Sequence, residues 1–186
     1  MKRAAIVIAL FATVLTREAM AQEERSEPAS DSTAAGSDRA RLSGTGSVGV
    51  DYRRLFAIPM TGISGQIGVG AEMPATSLYV TAGAFVGSTD HGLPALQLTL
   101  GLSGAIRAER FALGSDLRFS YMELTRATDG TALSAGGIGL APFLRYDLVR
   151  FDEGAIFLEG KVNLDFYGGD SGSLVWGPAL SVGLRL

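Results

Sequence analysis

Residues 95–106 read ALQLTLGLSGAI, and this stretch decides the fold. Leu96, Leu98, Leu100 and Leu102 take every second position, with Gln97, Thr99, Gly101 and Ser103 between them. A period of two puts one set on each face of an extended strand. The same alternation recurs in further blocks at about 46–56, 61–72, 77–87, 110–123, 135–148, 154–166 and 174–186. Clusters of Gly, Asp, Ser, Thr and Pro separate them, as turns require. Past the first twenty or so residues no window carries the helical period. The expectation is therefore an all-β chain of eight antiparallel strands. Pro142 and Pro178 fall inside two blocks and remove ladder donors, so a bulge or local break is expected at each.

Alternation alone leaves open which face is inside. A soluble lipocalin-like barrel turns its apolar face inward, and a membrane barrel turns it outward. The polar face here is rich in Gly, Ser and Ala. Such residues weaken a water-facing strand without any packing return. Inside a narrow barrel they make room for larger neighbours such as Tyr79, Phe85, Phe143 and Phe157. The apolar face is almost free of charge, and a charge at mid-bilayer depth costs about 2–4 kcal/mol. The reading is an up-and-down transmembrane β-barrel, with the soluble barrel as the alternative.

That reading assigns roles to residues. The lumen receives Asp51, Arg53, Glu72, Asp116, Arg118, Arg145, Asp147, Glu159, Lys161, Asp165 and Arg185. Their charges are nearly balanced, and an eight-stranded barrel is only wide enough for side chains to fill it. Enclosed ions must pair. Asp116 and Arg118 are expected to lie beside Arg145 and Asp147, with Glu159 and Lys161 next, unless Asp51, Asp147 and Asp165 sit in water at the rims. Tyr121, Phe166 and Trp176 at one set of strand ends, and Phe111 and Tyr146 at the other, are candidates for interfacial aromatic girdles.

Working outward, the N-terminus reads as a secretory signal over residues 1–21. Lys2 and Arg3 precede an apolar run from Ala4 to Leu15, and Ala19-Met20-Ala21 offers a cleavage site. The run is short for a membrane helix, which needs about 20 residues. Residues 22–44 hold one large apolar side chain, Leu42, and read as a disordered periplasmic tail. The barrel is assigned to 45–186. The chain has no cysteine, so an exported domain must draw stability from a core or a membrane. Sixteen basic residues face 19 acidic ones, without a basic stripe, which argues against nucleic-acid binding.

The alternating blocks and short turns over 45–186 resemble the small OmpA/OmpX-type outer-membrane barrels. Gly177, Leu180, Val182, Leu184 and Leu186 are similar to the family's C-terminal assembly signal, which usually ends on an aromatic residue where this chain has Leu186. The resemblance implies a Gram-negative outer membrane as location. It implies membrane lipid and the barrel-assembly machinery, met through the last strand, as partners.

Catalysis has little to draw on. The one histidine, His91, lies in a Gly-Ser-Thr-Asp-His-Gly loop whose residue types are common in turns. Lipid A deacylases of the outer membrane carry His-x-Ser, but position 93 is Leu. Ser88 and Asp90 are only its loop neighbours. No metal-ligand spacing or phosphate loop is present, so no cofactor, metal or enzymatic activity is expected. The expected role is structural or surface-interacting, with a lumen plugged by paired charges. A narrow or gated channel is the alternative, and the sequence points to no ligand.

Overall fold

The computed structural model describes residues 40–125, 131–168 and 172–186. The proposed signal segment 1–21 and residues 22–39 of the proposed tail lie outside them. The described chain forms eight strands: β1 (Arg41–Leu55), β2 (Ile58–Glu72), β3 (Thr76–Thr89), β4 (Pro94–Ala108), β5 (Phe111–Thr125), β6 (Ala132–Phe151), β7 (Gly154–Tyr167) and β8 (Ser173–Arg185). Each pairs antiparallel with its sequence neighbour, and β1 pairs with β8, so the sheet closes on itself. No helix occurs among the described residues.

The registers can be followed once round the barrel. Thr45 pairs with Gly68, then Thr81, Gly101, Arg118, Gly139, Asp165, Val175 and finally Leu55. The circuit returns to β1 ten residues further on, which is the stagger that tilted strands need in order to close. Call the end that holds Arg41 and Leu186 the near end. Turns 73–75, 109–110 and 152–153 lie there, and turns 56–57 and 90–93 lie at the far end, where β5 and β7 end and β6 and β8 begin.

The strands turn their apolar face outward. Val48, Ile63, Val80, Leu100, Leu117, Leu140, Phe166 and Leu180 are exposed on the outside, while Asp51, Gln97, Asp116, Glu159 and Asp165 are buried inside. This overturns the lipocalin-like alternative, whose interior would be apolar. An apolar exterior and a polar interior are the arrangement of a barrel that spans lipid.

One expectation needs correction, and the expectation at the prolines is met in part. β1 starts at Arg41, inside the segment read as tail. Residues 41–44 pair with β2, and Ser43 donates a hydrogen bond to the Leu186 carbonyl (2.6 Å) and shares one with the Tyr79 hydroxyl (3.1 Å). Those bonds hold a stretch too polar to read as strand by pattern. At both prolines the expected local break is present, without a bulge. The register runs unchanged past both, although the ladder lacks β6–β7 pairs at Ala141 and Pro142 and β1–β8 pairs opposite Gly177 and Pro178. The register shift falls instead between Asp147 and Val149, where β6 bulges.

Leu100 lies mid-strand on the outer face. Leu100→Arg should lower stability in lipid vesicles by about 2–4 kcal/mol, read by denaturant unfolding. An unchanged midpoint would show that this face does not meet hydrocarbon.

Candidate functional site: the charged lumen

The alternation that turns leucines to lipid turns most charges of the strands toward one axis. The resulting lumen holds three connected groups of ion pairs. Nearest the near end, Arg185 meets Glu72 (3.0 Å) and Asp147 (3.2 Å). Arg107 meets the same two carboxylates at 2.9 and 3.6 Å, and Arg150 closes on Asp147 at 3.0 Å. The Tyr79 hydroxyl donates to Glu72. At mid-height Lys161 bridges Asp116 (2.9 Å) and Glu159 (3.1 Å) and donates to Gln66 (2.7 Å), and Arg145 pairs with Glu159 (2.7 Å). Above these, Arg118 grips Asp165 with two parallel bonds of 2.9 and 2.7 Å. Ser120 donates to the same carboxylate (2.8 Å), and Arg53 joins Asp51 (2.6 Å) to Asp165 (3.7 Å).

Aromatic faces complete the packing. The Arg145 guanidinium carbon lies 4.1 Å from the Phe157 ring centroid and 5.1 Å from that of Phe143, and Arg53 lies 4.5 Å from Phe85. A guanidinium over a ring keeps its charge stabilised while shedding water.

The partners differ from the expected ones. Arg145 does pair with its β7 neighbour Glu159. Asp116 and Arg118, however, reach past β6 to Lys161 and Asp165 on β7. Register explains this. Asp116 and Arg118 stand opposite Ala141 and Gly139, not Arg145 and Asp147. These small residues leave a gap through which β5 and β7 side chains meet. Gly139 is the tightest point: a Cβ there would lie 2.0 Å from Asp165 Oδ1. Asp51, Asp147 and Asp165 are not in water at the rims; all three are buried.

Arg107 was missed because β4 runs two residues beyond the block read as ending at 106. Its signal was present, since 97, 99, 101, 103, 105 and 107 continue one face. Glu72 was assigned to the lumen, and it is half-buried at the near mouth.

The other singled-out residues lie outside the lumen. Phe111 and Tyr146 are cross-strand partners on the outer surface near the near end, with ring centroids 4.9 Å apart. Tyr121, Phe166 and Trp176 face outward toward the far end. Leu180, Val182 and Leu184 face outward on β8, and the backbone of Leu186 exchanges two hydrogen bonds with Gly44. His91 lies exposed in the far-end 90–93 connection, 3.8 Å from Asp90.

No family model matches the chain, and no curated protein matches its sequence. Solved structures do share its fold. Neisserial surface protein A (NspA) is 13% identical, with a TM-score of 0.57 over 80% of this chain and 98% of that one. Ail, the attachment invasion locus protein of Yersinia pestis, is 10% identical, with a TM-score of 0.54 over 77% of this chain and 98% of that one. The chain thus has the fold of small eight-stranded outer-membrane barrels.

Breaking a buried pair from one side costs about 3–5 kcal/mol, so Asp165→Ala should lower stability by that order. Gly139→Ala should cost roughly 1–3 kcal/mol in the wild type by displacing the Asp165 carboxylate. In the Asp165→Ala background it should cost almost nothing, because the two sites share one interaction. Additive losses in a double-mutant cycle would show that Gly139 does not serve the pair.

Proposed function

We propose that the chain is a non-enzymatic protein of a Gram-negative outer membrane, exported by a cleaved signal peptide, with a structural or surface-interacting role and a lumen closed by its paired charges. The observation that carries this reading is the set of three ion-pair groups stacked along the interior, to which β1, β2, β4, β5, β6, β7 and β8 all contribute. Buried ions already bonded to fixed partners are a poor path for other ions, because an entering ion must displace bonds already made. In this reading the near end faces the periplasm and the far end faces outward, since an even strand count leaves both ends of the barrel on one side.

The far-end connections are short. The longest, 126–131, spans six residues. That favours a compact surface over a long adhesive loop. His91 lies in solvent, and Ser88 belongs to the outward face of β3, so the loop does not bring a nucleophile and base together over a cleft.

Assembly belongs to the same proposal. The outward alternation of Leu180, Val182, Leu184 and Leu186 is the feature the assembly machinery would read. A chain ending at Gly183 should insert poorly and be degraded in the periplasm, whereas normal heat-modifiable barrel would remove the role given to these residues. For the lumen, single-molecule conductance in planar bilayers decides. Wild-type protein should give no stable large channel. Lys161→Ala should lower the unfolding midpoint, by about 3–5 kcal/mol for the carboxylates left unpaired, again without a large pore. Stable large openings from the wild type would defeat the closed reading.

A further inference from the structure

The interior changes character at the far end. Met60, Phe85, Ala95, Met122, Tyr167 and Val175 form one buried apolar cluster. Leu55 on β1 and Ala135 on β6 pack against it, so every strand of the barrel contributes. All point inward, against the general rule of this chain that inward positions are small or polar. Met60 and Val175 are fully buried, at 0% exposure. Lipid does not account for this cluster, because it lies inside, and only Phe85 of its members carries a charged group of the ion pairs, Arg53, on its ring.

Beneath the cluster lies a cavity of about 30 Å³. Its walls include Ser47, Ser64, Thr99 and Ser181 on one side and Arg118 and Lys161 on the other. Gln97 and Asn163 also line it, and neither Gln97 Oε1 nor Asn163 Oδ1 accepts a hydrogen bond from a protein group. Both residues are almost wholly buried. A polar cavity of this size with unanswered acceptors suits water. Phe85 belongs to both regions: it lies in the apolar cluster, lines the cavity and carries Arg53 on its ring.

We propose that the cavity is a hydrated chamber and that the apolar ring around Met60, Met122 and Val175 is a stopper sealing it from solvent at the far end. The physical reason is a difference between two kinds of barrier. Charged and polar walls exchange hydrogen bonds with water and small ions, so they yield to hydration. An apolar constriction offers no such exchange and stays dry. The proposal rests on the closed-lumen reading and places the decisive seal in the stopper, with the ion pairs beneath it.

The absence of cysteine makes the test direct. Ser64→Cys places one thiol in the chamber wall, and silver ion is a probe small enough to share the space. The folded barrel in micelles is exposed to silver for increasing times. Thiols left free are then counted with a maleimide after unfolding. In the otherwise wild-type barrel the thiol should react slowly. Met60→Ala with Met122→Ala should speed the reaction by roughly tenfold or more, since reaction at a buried site follows the population of open forms. Lys161→Ala, compared at conditions where its unfolding midpoint is as far away as that of the stopper variant, should speed the reaction much less than the stopper variant does. A fast reaction in Lys161→Ala and a slow one in the stopper variant would overturn the proposal while keeping a lumen closed by charges. Reaction of the parent at the rate of a free thiol would overturn both. Heat-modifiable migration establishes folding of each variant. If the double variant does not fold, Met122→Ala alone must still raise the rate, and an unchanged rate counts against the stopper.

Discussion

Hydrocarbon offers no partner to a peptide group. Every N–H and C=O within the bilayer must therefore find one inside the protein, at a cost of several kcal/mol for each failure. A sheet meets this demand only by having no edge. The β1–β8 ladder is what removes the edge here, and the other features follow from it. Closure fixes the ten-residue stagger, the stagger fixes which inward residues share a level, and those levels decide which charges meet. The Arg118–Gly139–Asp165 level shows the chain of cause. A one-residue slip of any of these three strands would turn its member of the level toward lipid.

Once closed, the barrel has an interior too narrow to be empty and too polar to be oily. Its solution is to set large residues beside small ones. Phe143 stands opposite Gly114 and Phe157 opposite Gly183, at points where a Cβ on either glycine would strike the facing ring. The carboxylates are held by fixed donors, chiefly arginine, whose planar fork makes two bonds at once. Such networks contribute less to net stability than their bond count suggests, because desolvation offsets much of the attraction. Their clearer effect is on uniqueness, since each charge has one satisfactory position.

Much of this was legible from the period of two. The strand blocks, the choice of face and most lumen charges follow from counting every second residue. The pairings did not follow, because register depends on turn geometry that residue types leave open by one or two positions. Asp116 thus looked adjacent to Arg145, but the β5–β6 register places it opposite Ala141. Arg107 was lost to a strand end, and residues 41–44 to their polarity. The stopper was missed for a different reason. Met60 lies one residue outside its block, and Met122 and Val175 are apolar residues on a face read as polar. Several of these departures from pattern on the inward face gather at one depth, at the far end.

The seam between β1 and β8 joins the two extremes of the barrel sequence, Thr45 to Arg185 among them. It is the longest loop the chain has to close, and so carries the largest entropic cost of any ladder. The same seam lacks ladder pairs beside Gly177 and Pro178, whereas the hairpin ladder between β1 and β2 runs unbroken. The barrel is in this sense a zip with a designated last tooth. Seven hairpin ladders can form locally as each strand meets its neighbour, and the eighth converts a curled sheet into a tube. That seam is the one ladder whose opening would give the sheet two edges without breaking a hairpin.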